Sequence, residues 1–256
     1  MAPGRAGVPA DDDEAPRLTL VEHLEDLRRV VIVSLVAWAA ASVLAFAFNH
    51  PLIQLLERPL HLALAHRRAS PFGGVVIVTS PIEGLSIPFK VAAAAGVVLS
   101  LPVVLWQIWT FVAPGLRRSE RRLAGPFIGA SCACFALGAV FAYLVMPVGL
   151  SFLATFLGSN AVYLPDLASY LTFFTLVILI FGVTFEMPVV LSLLGALGIV
   201  SSRRLRRWRR PAYFCIVAVA LVVTPGADPF TPTFLSIALL VLYEASILVV
   251  RYPLGR

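Results

Sequence analysis

The chain has 256 residues, 59% of them apolar and 13% charged, with a formal net charge of +6, whereas soluble domains carry about 25% charged residues. Twenty basic and 14 acidic side chains cannot cover such an apolar excess in a water-facing fold, and a mean hydropathy of +0.91 excludes an ordinary soluble domain. A positive charge would suggest nucleic-acid binding in a soluble protein; here its position relative to a membrane matters first, and no nucleic-acid partner is expected.

Residues 1–18 are rich in Ala, Pro, Gly and Asp, include the acidic run Asp11 to Glu14, and lack apolar periodicity. They are expected to form a disordered tail. In Thr19-Leu-Val-Glu-His-Leu-Glu-Asp-Leu-Arg28, Leu20, Leu24 and Leu27 share one helical face. Thr19 and Glu22 fit a capping box, so a short interfacial helix carrying Glu22, Glu25 and Asp26 is predicted. A first span follows at about 29–48; Val30 to Phe48 is uncharged and reaches about 28 Å as a helix. Ala45-Phe46-Ala47 resembles a signal-peptidase site. The long apolar run and a leader with seven acids against four arginines predict no cleavage.

Residues 49–89 form the longest external connection, with two short interfacial helices predicted to start near Pro51 and Pro59. A second span at 88–113 contains Pro102, which removes a backbone donor and predicts a kink. The following loop holds Arg117, Arg118, Arg121 and Arg122 around a single acid, Glu120. A third span at 123–148 is predicted to end near Pro147-Val148-Gly149, with an exposed loop after it. A fourth, 171–197, is apolar except for Glu186 and closes at Gly198. Six arginines from Arg203 to Arg210 precede two short spans, 212–224 and 233–250, joined by a turn-rich hairpin containing Asp228. Residues 253–256 form a tail.

Arginine placement tests this count, because cytoplasmic flanks are enriched in Lys and Arg. Sixteen of the 20 cations fall before span one, between spans two and three, between four and five, or after six; Arg58, Arg67, Arg68 and Lys90 fall on the other side. An even span number with both termini cytoplasmic follows. The expected fold is an all-α polytopic membrane protein with six transmembrane helices and short fifth and sixth spans.

Cys132, Cys134 and Cys215 are expected to act as small hydrophobes, since residues two apart on a helix point about 200° apart and cannot share one ion. His23, His50, His61 and His66 offer no helical metal pair. No metal, cofactor or nucleophile–base arrangement is expected, so a non-enzymatic function is the reading. The acids at membrane depth need explanation, because an ionised carboxylate there costs roughly 2.5–3.5 kcal/mol or more. Glu186 is followed by Pro188, and a helix break there can admit water or a partner side chain. Glu244, within two turns of Arg251, is expected to be structural and to snorkel or pair toward that cytoplasmic end. Glu120 either pairs locally with its arginine neighbours or recognises an incoming cation.

Seven stretches in order resemble the TatC family, the multispanning receptor subunit of the twin-arginine protein translocase: His23-Leu-Glu-Asp-Leu-Arg28, Thr79-Ser-Pro-Ile-Glu83, Leu101 to Trp109, Phe111-Val-Ala-Pro-Gly-Leu116, Ser119-Glu-Arg-Arg122, Phe185-Glu-Met-Pro188 and Thr224-Pro225. The resemblance implies a concave bundle in the cytoplasmic membrane. It would bind the twin-arginine signal peptides of folded precursors and recruit single-span TatA/TatB-type subunits for transport driven by the proton-motive force. Homo- and hetero-oligomers and contacts with membrane lipids are implied. By position, Glu120 and Phe111 match the family's loop site, and Glu25, Asp26 and Arg28 its amino-terminal patch. Glu186 matches the family's intramembrane acid. Asp228 falls where the family often has Pro-Pro-Asp, but this chain has Pro225-Gly-Ala-Asp228. Pro59, Glu83, Pro102 and Pro188 are structural, shaping an external cap and helix kinks. The alternative is an ion-coupled small-molecule secondary transporter with Glu186 as its proton site.

Overall fold

The computed structural model describes residues 20–65, 77, 80–112, 124–155, 166–196, 198–224 and 229–251. These form nine helices: α1 (Leu20–Ala47), α2 (Asn49–Ala65), α3 (Glu83–Val112), α4 (Ala124–Thr155), α5 (Leu167–Thr184), α6 (Met187–Ala196), α7 (Ser202–Arg207), α8 (Arg209–Val223) and α9 (Phe230–Arg251). Beyond one isolated bridge between Ile77 and Asp166, the described residues form no β-structure. The chain is an all-α polytopic membrane protein. Leu24–Ala47, Glu83–Phe111, Ala124–Leu153, Leu167–Ala196 and Phe230–Arg251 are each long and apolar enough to cross a bilayer. α8, with 15 residues, reaches only about 22 Å.

The sequence predicts an interfacial helix separate from the first span; the structure has one unbroken helix of 28 residues, α1. Nothing between Arg28 and Val30 carries a Pro or Gly signal that would end it. α1 lies along α3, where Trp38 Nε1 donates to the Ala93 carbonyl at 2.9 Å and Phe46 stacks on Phe89 with centroids 4.9 Å apart. A Cβ added to Gly96 would lie 2.9 Å from the Ser42 backbone. Such close approach is the usual use of small residues between membrane helices.

The two helices expected at Pro51 and Pro59 are one, α2, with Pro59 inside it. Proline removes the bond to the carbonyl four residues back and pushes that carbonyl outward. Here that carbonyl belongs to Leu55, and it accepts the Tyr143 hydroxyl at 3.0 Å. Its neighbour Leu56 accepts the Tyr170 hydroxyl at 2.8 Å. Two tyrosines on α4 and α5 thus satisfy the distorted turn, and Pro59 and Leu60 are fully buried. The break that proline threatened is repaired from outside the helix, and α2 is fastened across α4, α3 and α5.

α4 likewise continues to Thr155 past Pro147, where an end near Val148 is expected from sequence. Its far turn packs on the start of α9, with Phe152 and Phe230 stacked at 5.4 Å and the Phe230 ring 3.0 Å from where a Gly149 Cβ would sit. α4 and α5 approach through reciprocal notches: a Cβ on Gly138 would meet the Phe181 carbonyl oxygen at 2.5 Å, and one on Gly182 the Phe135 ring at 2.5 Å. Phe135, Phe174 and Phe181 are almost wholly buried around these notches. Asp166 caps α5 by accepting from Ser169 N at 2.8 Å. After α6 the chain turns at Gly198, φ 73°, a left-handed position that glycine adopts without a Cβ penalty. α9 packs on α6 and α8 and completes the core.

Candidate functional site

Glu186 lies at a break built by its neighbours. Pro188 has no N–H to offer the Thr184 carbonyl, and Thr184 Oγ1 bonds back to the Ile180 and Phe181 carbonyls at 2.8 and 3.1 Å, a contact that bends helices. α5 ends there, Glu186 N tightens onto the Val183 carbonyl at 3.1 Å, and α6 begins at Met187 with Val190 N on the Glu186 carbonyl at 3.0 Å. Both helices remain within one membrane-length segment, Leu167–Ala196.

The half-buried Glu186 carboxyl group faces α4. The hydroxyl of the buried Ser131 reaches it, on the stretch of α4 that also carries Cys132 and Cys134. Glu186 Oε1 is buried with no hydrogen-bond partner among the described residues. Oxygens of a carboxyl group at this depth demand partners, and the demand of Oε1, sealed from the surface, is unmet among the described residues. Phe141, Phe181 and Phe185 pack beside it with centroids 5.7 to 6.5 Å apart. Ser131 is absent from the residues that sequence singles out; a hydroxyl inside a 43-residue uncharged stretch was the available signal.

Glu25, Asp26 and Arg28 are exposed near the start of α1, and no ion pair joins them among the described residues. The antiparallel register of α1 and α3 sets Phe46 beside Phe89 and Ser42 beside Gly96. Continued at equal rise along both helices, that register brings Asp26 level with Phe111, at the end of the bundle opposite α2. Asp26 and Phe111, 85 positions apart in sequence, therefore belong to one end of the fold. Glu120 and Asp228 lie outside the described residues. Glu83 opens α3, and Pro102 lies within it.

Glu244 pairs with Arg209, one of the six arginines from Arg203 to Arg210. Its carboxylate holds Arg209 Nη2 at 2.5 Å and accepts the Tyr213 hydroxyl, which joins α8 to α9. Tyr243 adds a bond from its hydroxyl to the Leu205 carbonyl at 2.8 Å. The antiparallel return of α9 beside α8 brings Arg209 to Glu244 across 35 residues of sequence. Cys132, Cys134 and Cys215 are free thiols, and no cluster of three or more His, Cys, Asp or Glu side chains suited to a metal occurs among the described residues.

The fold and site define a helical multi-pass membrane protein with an acid at a helix break in its fourth long membrane segment. Residues 22–237 match the model of the family described as Sec-independent protein translocase protein (TatC), and the chain belongs to that family. It is 39% identical over 241 residues to a Sec-independent protein translocase protein TatC of Frankia casuarinae; the match covers 92% of this chain and 66% of that protein, just under two thirds of its length. The corresponding protein of Deinococcus radiodurans is 38% identical over 234 residues, covering 91% of this chain and 85% of its own. A crystal structure of a twin arginine translocase receptor, TatC, superposes with a TM-score of 0.75 at 32% identity, covering 90% of this chain and 98% of that one.

Proposed function

We propose that the protein is a receptor for twin-arginine signal peptides and the core subunit of a translocase that exports folded proteins, driven by the proton-motive force. The observation that carries this reading is the agreement in fold with a twin arginine translocase receptor over 90% of the chain at 32% identity, together with family membership over residues 22–237. In this reading the cytoplasmic membrane holds six spans, approximately 29–48, 88–113, 123–148, 171–197, 212–224 and 233–250, within a membrane domain of residues 19–252. Both termini, 1–18 and 253–256, face the cytoplasm, where arginine enrichment would place them.

Signal recognition falls to Glu120 with Phe111, and to Glu25, Asp26 and Arg28 on α1. A carboxylate accepts two parallel charge-assisted bonds from a guanidinium, which the point charge of lysine does not reproduce. Glu25 and Asp26 form no ion pair among the described residues, which supports a patch that keeps its acceptors for a visiting cation. Phe111 at the same level supplies apolar contact for the signal. Glu186, with an acceptor oxygen that has no partner among the described residues, serves the later step, docking a single-span TatA/TatB-type helix on a concave face. Asp228 is assigned to the same surface. The protein acts by binding and assembly, without catalysis.

Photocrosslinking from position 111 to a twin-arginine precursor and its twin-lysine variant tests the reading. Selective crosslinking of the twin-arginine form, abolished by Glu120→Ala, is expected. Equal yields from the two precursors overturn the receptor assignment, and proton-coupled uptake of a small solute by the purified protein favours the transporter.

A further inference from the structure

Between α1, α2, α3 and α5 lies a cavity of about 480 Å³, within the roughly 300–1,000 Å³ range of small-molecule sites. Leu44 of α1, Leu55 of α2, Val91 and Ala95 of α3 and Leu179 of α5 line it, and Thr175 is the sole polar side chain in its wall. Water at such a site needs two to four polar partners, which this lining does not supply. The matching chemistry is hydrocarbon. Two turns of a partner helix about 10 Å across occupy roughly 850 Å³, more than the cavity holds, so a single flexible chain fits where a helix does not.

The cations at the rim identify the rest of the ligand. Lys90 is exposed and directly precedes Val91 in the wall. Its Nζ donates to Thr172 Oγ1 at 3.5 Å, one turn of α5 before Thr175. Arg58 is exposed one turn after Leu55. Neither cation has a carboxylate partner among the described residues, although Glu57 adjoins Arg58 in sequence. Along α5 the surface therefore passes from a cation at Thr172 to an apolar wall at Ile178 and Leu179. A molecule with an anionic head and a hydrocarbon tail has that same order.

We propose that this cavity holds one acyl chain of an anionic diacyl phospholipid from the leaflet on the α2 side, with its phosphate resting on Lys90 and Arg58. Bulk lipid is as apolar as the cavity wall, so preference for this lipid comes from packing and from headgroup charge. The site is distinct from Glu186, 11 residues beyond Thr175 on the α5–α6 segment, and does not depend on the receptor reading.

The test extracts the protein into mild detergent from vesicles of mixed phosphatidylglycerol and phosphatidylcholine, then counts bound lipid by mass spectrometry of the intact protein. Wild type is expected to retain one phosphatidylglycerol. Ala95→Phe and, from another wall position, Val98→Trp are expected to lose it. The double variant Lys90→Gln/Arg58→Gln retains lipid but loses headgroup preference, by about fivefold for each cation removed. Equal retention of the two lipids by wild type overturns the proposal. So does wild-type retention by a monodisperse wall variant, or recovery of a single-span subunit in place of lipid. If both wall variants fail to fold, unchanged preference in the double charge variant overturns it and lost preference supports it.

Discussion

Tyr143 donates its hydroxyl to the Leu55 carbonyl at 3.0 Å, the acceptor that Pro59 leaves open inside α2. A helix interruption and its remedy thus come from different segments of the chain. If the bond exists because of the proline, its worth depends on the proline. Tyr143→Phe is expected to cost about 1 kcal/mol, as for a typical intramolecular hydrogen bond. In a Pro59→Ala background, where residue 59 can donate to Leu55, the same change costs less. Thermal unfolding of the four proteins in detergent gives the coupling; identical losses in the two backgrounds would show the tyrosine bond to be incidental.

The notch at Gly138 admits no side chain: a Cβ there meets the Phe181 carbonyl oxygen at 2.5 Å and Phe185 Cβ at 2.9 Å. Gly138→Ala is expected to destabilise by about 1–3 kcal/mol through overpacking. Gly129, on the same helix, has nothing within 4 Å of its added Cβ, so Gly129→Ala gains helix propensity and leaves the unfolding midpoint unchanged or raised. Comparable losses at the two positions contradict the packing described for α4 against α5.

Glu186→Ala is predicted to leave signal crosslinking at position 111 largely intact while abolishing transport. The acid lies on the α5–α6 break, within the membrane-length segment and on a different element from Asp26 of α1 and Phe111 of α3. Parallel measurement of crosslink yield and export of a folded precursor decides this. Equal loss of both would show that the two regions do not act separately.

The Glu244–Arg209 pair is partly exposed, with side chains 37% and 44% accessible, so it contributes at most about 1 kcal/mol and is screened by salt. Glu244→Ala also deprives Tyr213 of its acceptor. A modest fall in the unfolding midpoint is expected at low salt, shrinking as salt is raised. A difference from wild type that does not change with salt would mean that packing, rather than charge, joins α8 to α9.

Hydropathy made five of the membrane helices visible in advance, because each is a long run with few charges and the bilayer imposes its length on the sequence. Glu186 was visible for the converse reason, a charge where few are tolerated. Proline was the less dependable signal. Pro59 and Pro147 both read as ends and both lie inside helices, since the outcome depends on tertiary partners such as Tyr143 that no local window contains. The same limit applies to charge pairing: the Arg209 that Glu244 holds lies 35 residues away in sequence. Ser131 lies opposite Glu186 only because Gly138 and Gly182 let α4 and α5 close together.

Only 6% of the best apolar window of α1 is buried within the protein, against 39% of that in α9, and α1 packs almost entirely along α3. Among the described helices α1 leaves the ribosome first, and its most apolar window ranks highest of the five. Its insertion can therefore be driven by lipid alone, before any neighbour exists. α9 emerges last and has most to gain from a bundle already assembled. The order of synthesis follows the order of self-sufficiency, so a polar substitution on the exposed face of α1, at Val36 or Val43, should fail at insertion into the membrane, whereas one on the inner face of α9 should fail at docking.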